Sequence, residues 1–239
     1  MVDSVRRSRG PAYEAVPSRG FGRPAAGGRH RLAGLQGAGQ AAAREHRSSV
    51  TTIVLSRHGK PDWDYRTPIP GRAFAEWRRG EDDAPLDPVS RPGSALEQMV
   101  RTASCVITSP LRRSLESARL LAPASVPFTD ALFREADLPC GFRSAIRLRP
   151  DVWAVLARSA WFCGWSDGME SFAAARARAS RAAQLVTARA ESHDTIAVVG
   201  HGMMNIFIAR ELSAQGWRGP RIPSRQHWSF GVYRDGRMA

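Results

Sequence analysis

Three short apolar runs, each breaking off in polar residues, limit what this chain can fold into more than any other feature. Thr51-Thr52-Ile53-Val54-Leu55-Ser56 stops at Arg57-His58-Gly59, Cys105-Val106-Ile107-Thr108 at Ser109-Pro110, and Thr195-Ile196-Ala197-Val198-Val199 at Gly200-His201-Gly202. Such β-branched runs read as strands. Continuous rather than alternating apolarity belongs to strands covered by helices on both faces. Helices are predicted between them over about 94–102, 111–122, 170–191 and 203–215, with a final, edge-like strand from His227 to Arg234. The expected fold is α/β: a three-layer α/β/α sandwich with a mostly parallel central sheet.

Residues 1–49 have a different texture, rich in Gly, Ala, Arg, Ser and Pro with few large apolar residues and no sustained period. Such a stretch cannot offset its ordering entropy, so it is expected to be a disordered basic extension, with residues 50–239 forming the folded domain. No apolar segment follows Arg6, Arg7 and Arg9, which argues against a secretory signal. Of 35 basic residues only Lys60 is lysine, a bias that points to base composition, so the net charge of +13 is weak evidence for nucleic-acid binding. Three cysteines, Cys105, Cys140 and Cys163, form no C-x-x-C pair, so neither a disulfide framework nor a cysteine metal site is indicated. No apolar run approaches the roughly 18 residues of a bilayer span. The expectation is a cytoplasmic protein that does not cross a membrane.

Between Pro61 and Pro92 six prolines alternate with Trp63, Tyr65 and Trp77, which reads as a long functional loop with one short helix near Phe74 to Arg79. Ligands of open α/β sheets gather at the carboxyl ends of strands, where His58 and His201 both sit. A neutral imidazole held in one orientation is a nucleophile near neutral pH, and phosphorus is a suitable electrophile. Arg57, Arg112 and Arg113 supply cations for phosphoryl oxygens, the last two at the start of a predicted helix.

In that order, Arg57-His58-Gly59, Ser109-Pro110-Leu111-Arg112-Arg113, Leu132-Phe133-Arg134-Glu135, Gly168-Met169-Glu170-Ser171 and His201-Gly202 resemble the motifs of the histidine phosphatase superfamily, also called phosphoglycerate mutase-like. The resemblance covers about residues 51–236. It implies that His58 is phosphorylated during turnover, that Arg57, Arg113 and His201 bind the phosphate, and that Glu135 is the proton donor, with no metal or cofactor required. Ser114 departs from the usual Ala, and Glu116-Ser117-Ala118 from the frequent Gln-Thr-Ala. Met203 after His201-Gly202 replaces the Asp of the acid-phosphatase branch.

Lys60-Pro61 after the first motif is unlike the mutase members, so a phosphatase acting on a small phosphorylated substrate or a phosphoprotein is expected before a phosphoglycerate mutase-type transferase. The remaining alternative is a non-catalytic module that meets nucleic acid through its tail and Arg176, Arg178, Arg181 and Arg189; a solvated helix face is the preferred reading of those arginines. Glu170-Ser171 suits a helix N-cap as well as a substrate rim. Trp161, Phe162, Cys163 and Trp165 read as core or lid packing, or as a wall selecting a bulky leaving group.

Overall fold

The computed structural model describes residues 51–236, so the expectation for residues 1–49 lies outside the described residues. Each predicted strand forms: β1 (Thr52–Arg57), β3 (Cys105–Thr108) and β6 (Thr195–Gly200). Shorter strands are β2 (Ile69–Pro70), β4 (Phe128–Thr129), β5 (Arg147–Leu148) and β7 (Trp217–Arg218); β8 (Phe230–Asp235) comes last. One six-stranded sheet runs in the order β4-β3-β6-β1-β8-β7, and β2 pairs separately with β5. The pairs β3–β4, β3–β6 and β1–β6 are parallel, whereas β8 is antiparallel to β1 and β7.

Helices α1 (Phe74–Asp83), α2 (Ser94–Arg101), α3 (Arg112–Leu121), α4 (Pro150–Phe162), α5 (Phe172–Ala190) and α6 (Gly202–Ala214) cover the strands. Side-chain alternation sends Ile53, Leu55, Ile196 and Val198 into one core with α5 and α6. Val54, Ala197 and Val199 enter a second core with Leu96 and Val100 of α2 and Ala118 and Leu121 of α3. Both faces are thus buried, which is why the runs are apolar throughout. Ala175, Ala179, Ala182, Val186 and Ala190 make the inward stripe of α5 at helical spacing, small enough for α6 to pack closely. A third cluster joins Phe74 of α1 to Trp153 and Ala157 of α4 and to Leu138.

Three expectations need correction. The helix expected to end at Arg79 runs on to Asp83, because Gly80 gives the Trp63 ring room to lie where a Cβ would meet it at 2.4 Å. The last strand starts at Phe230 rather than His227, because Trp228 adopts φ 61° and turns the chain out of the sheet. For Trp161 the core-packing reading is the one observed, not the wall: its indole contacts Phe172 and Phe207, and its N–H donates to the Glu170 carbonyl at 2.7 Å. Trp165 instead meets Phe142 edge to face. Arg178 does not belong to a solvated face either. It forks onto both Glu170 carboxylate oxygens at 2.7 and 2.6 Å and donates to the carbonyls of Leu132, Arg134 and Glu135.

Ser171 caps α5, accepting from the Ala174 N–H at 3.1 Å, so the capping role of this segment is the one observed. The three cysteines are free thiols. Among the described residues no helix is long and apolar enough to cross a membrane.

Candidate active site

Strands β1 and β6 lie side by side in parallel, with Arg57 opposite Gly200, so their next residues, His58 and His201, leave the sheet at the same level. The His58 N–H donates to the Gly200 carbonyl at 3.0 Å, which holds the two exits together. The two imidazoles pack edge to face, 4.9 Å between centroids, and both are buried.

The hydrogen bonds of His58 fix its tautomer. Nδ1 lies 2.6 Å from the Gly59 carbonyl oxygen, which can only accept, so the ring proton is on Nδ1 and Nε2 carries the lone pair. Arg113, in the first turn of α3 and itself buried, donates its Nε–H to that Nε2 at 3.2 Å. Its Nη1 reaches back to α1, to the Glu81 carbonyl at 3.1 Å and the Asp82 carboxylate at 3.0 Å. Arg113 therefore arrives pre-aimed from a fixed fork.

His201 is held through its other nitrogen. Ser109 Oγ is 2.9 Å and Ser114 Oγ 3.2 Å from Nε2. Ser109 Oγ also accepts from the Leu111 N–H at 3.2 Å, which ties this contact to the start of α3. The Ser at 114, a departure from the usual motif, thus supplies a second hydroxyl to this histidine. Ser117 Oγ bridges the two chain segments, accepting from the Gly59 N–H at 2.9 Å and donating to the Arg113 carbonyl at 2.6 Å.

Electrostatically this is a cationic pit. Burial pushes His58 well below the ordinary histidine range, and His201, Arg113 and Arg57 push the same way. Burial likewise lowers His201 strongly, reinforced by Arg113, Arg57, Arg78 and Arg178. Both rings are neutral at neutral pH. Three buried nitrogens in this neighbourhood have no hydrogen-bond partner: Arg57 Nε, His201 Nδ1 and His227 Nε2. A buried unpaired polar group costs about 1–3 kcal/mol, so three around one imidazole signal a site built for an acceptor.

Glu135 follows a short 3₁₀ turn, Ala131–Phe133, that Asp130 caps through a 2.8 Å bond from the Leu132 N–H. Its carboxylate accepts from the Met203 N–H at 3.2 Å and the Met204 N–H at 3.0 Å, at the start of α6 and two residues beyond His201. Its charge also opposes that of Arg57. Of the phosphate-site residues named from sequence, Arg57, His58, Arg113, Glu135 and His201 lie at this end of the sheet, whereas Arg112 is turned outward to Glu116 at 2.7 Å.

Sequence reasoning missed four contributors. Glu81 and Asp82 anchor Arg113, and Tyr65 donates to Glu81 Oε1 at 2.8 Å. His227 lies 5.6 Å from His58 between ring centroids. The Glu81-Asp82-Asp83 run was a readable signal for an arginine anchor; His227 offered none, since its place in an edge-strand pattern hid it. Among the described residues no group of three or more His, Cys, Asp or Glu side chains could hold a metal ion.

Among solved structures, the fold is similar to an open reading frame product of Mycobacterium tuberculosis, at 20% identity and a TM-score of 0.48, with 77% of this chain and 94% of that one covered. A mycobacterial glucosyl-3-phosphoglycerate phosphatase complexed with VO3 gives 23%, 0.46, 68% and 81%. A mutant phosphoserine phosphatase of Entamoeba histolytica in complex with phosphoserine gives 17%, 0.45, 77% and 96%. No curated protein matches the chain. The sequence model of the histidine phosphatase superfamily (branch 1) matches residues 53–230, a span that holds both histidines and both inward arginines; the chain belongs to that superfamily.

Proposed function

We propose that the protein is a phosphatase that hydrolyses a phosphomonoester through a phosphohistidine on His58, with arginines rather than a metal ion neutralising the phosphoryl charge. The observation that carries this reading is the ring of unpartnered or redirectable donors around a neutral imidazole whose Nε2 holds a lone pair. Arg113 moves its Nε–H from His58 to a phosphoryl oxygen when substrate enters, freeing the nucleophile. Arg57 and Nδ1 of His201 take further oxygens. Preorganised donors of this kind usually form the largest single contribution to catalysis, above all in phosphoryl transfer.

His58 Nε2 attacks phosphorus in line, and the ester P–O bond breaks as the N–P bond forms. Glu135 supplies a proton to the departing oxygen. A water molecule then attacks phosphorus, Glu135 takes its proton, the N–P bond breaks, and inorganic phosphate leaves. The substrate is a small phosphorylated molecule or a phosphoprotein, and a cytoplasmic setting suits the three free thiols.

The catalytic-domain boundary at about residue 50 fits a first strand that begins at Thr52. The alternative of a nucleic-acid module is weakened by the occupied helix arginines: Arg178 is bound internally and Arg189 lies 3.9 Å over the Phe128 ring. The test is hydrolysis of p-nitrophenyl phosphate in the presence of a chelator, with release of inorganic phosphate. His58→Ala abolishes it. Activity that survives in His58→Ala would remove the nucleophile assignment.

A further inference from the structure

The loop between β7 and β8 returns over the phosphate site and is tied down along its length. Arg57 Nη1 donates to the Arg225 carbonyl, and the Trp228 N–H faces the His58 carbonyl at 3.4 Å. The Trp228 indole donates to Ser90 Oγ at 2.8 Å, and that hydroxyl also accepts from the Lys60 N–H at 3.1 Å. The same indole covers Gly59, where a Cβ would lie 2.2 Å from the ring. Trp228 sits at φ 61°, a conformation that disfavours a bulky residue and costs on the order of 1–3 kcal/mol. A strained residue held at three points fixes the direction of its neighbour, His227.

His227 faces His58 at 5.6 Å, with its rings tilted by 49°. A histidine kept only for packing normally satisfies both ring nitrogens, yet its Nε2 is buried without a partner. We infer that His227 is a third imidazole of the phosphate site, with its Nε2–H donating to an oxygen of the bound phosphoryl group. This rests on the phosphatase reading above and extends it to a contact that the motif order does not contain. The charges acting on His227 are those of Arg57, Lys60 and Arg113, all cationic, with burial as the main influence; together they hold it at about 4. A neutral ring among cations lacks an anion as its partner, and a phosphate dianion supplies one.

The experiment compares wild type with His227→Phe, which keeps a ring but no N–H, and His227→Gln, whose amide N–H₂ reaches nearly the same point. Inorganic phosphate is titrated by calorimetry, and p-nitrophenyl phosphate kinetics are measured beside it. His227→Phe is expected to weaken phosphate binding and lower kcat/KM about tenfold, the scale of one hydrogen bond to a charged group. His227→Gln stays within about threefold of wild type on the same scale. In unsubstituted protein, the imidazole nitrogen resonances of His227 shift on phosphate addition, a readout independent of how the variants fold.

Phosphate affinity unchanged in His227→Phe, or unmoved His227 resonances, overturns the inference even in an active enzyme. A wild type that binds no phosphate overturns it as well. Weakened phosphate binding in His227→Phe, with a wild type inert toward the ester, would keep the inference and remove the hydrolysis reading.

Discussion

Two serines grip His201 by a single nitrogen, so its free nitrogen points in one direction only. Ser114→Ala leaves Ser109 in place and is expected to lower kcat/KM by no more than about threefold. Ser109→Ala with Ser114→Ala removes both hydroxyls that hold the ring and costs about 30-fold or more, on the scale of two hydrogen bonds. Steady-state kinetics of the three variants check this; an additive double variant would contradict it. Arg113→Lys keeps the charge but not the fork, and a loss of about 10²–10³ in kcat is expected for a misplaced donor to the transition state. These residues were legible because strand ends and the Ser109 to Arg113 spacing announce them. His227 was not, since its orientation depends on a backbone turn at Trp228 that no propensity forecasts.

At the level of elements, Arg178 of α5 is the rivet between that helix and the segment carrying Glu135. Its five bonds leave Glu170 and three carbonyls exposed to loss if it is removed. Arg178→Met is expected to destabilise the fold by about 3 kcal/mol, because an uncompensated carboxylate stays behind, and Ser171→Ala by about 1 kcal/mol through the lost cap. Urea denaturation measures both, and a smaller effect for Arg178→Met than for Ser171→Ala would refute the rivet. Helices α2, α3, α5 and α6 were readable from their positions between strands and their periods. Helix α4 was overlooked although Pro150 and Asp151 mark its start, because Val152, Val155, Leu156 and Phe162 face outward and blur the amphipathic period. The strand pair β2–β5 is too short for any pattern to register.

For the molecule as a whole, two buried imidazoles and the half-buried one of His227 make stability depend on acid. His58, His201 and His227 all have folded values below the unfolded one of about 6.5. The unfolded chain therefore binds more protons as pH falls, and the stabilisation present above about 6.5 is lost progressively below it. The urea midpoint is expected to drop between pH 6.5 and 4, and His227→Gln to show a shallower drop, because one of the three groups no longer titrates. A midpoint that is flat over this interval would mean that the rings are solvated. The layered α/β plan was legible because strands buried on both faces are apolar throughout, whereas the third cluster joins distant residues and was not.

The parallel pairing of β1 with β6 sets where the two site histidines leave the sheet. Neighbouring strands repeat at about 4.8 Å, and the imidazoles, one residue past the paired Arg57 and Gly200, stand 4.9 Å apart. The backbone ladder acts as a ruler for the reacting pair, while the connections above it carry the surfaces that meet the rest of a ligand. Under the phosphatase reading proposed above, changes confined to those connections would leave the paired histidines in place.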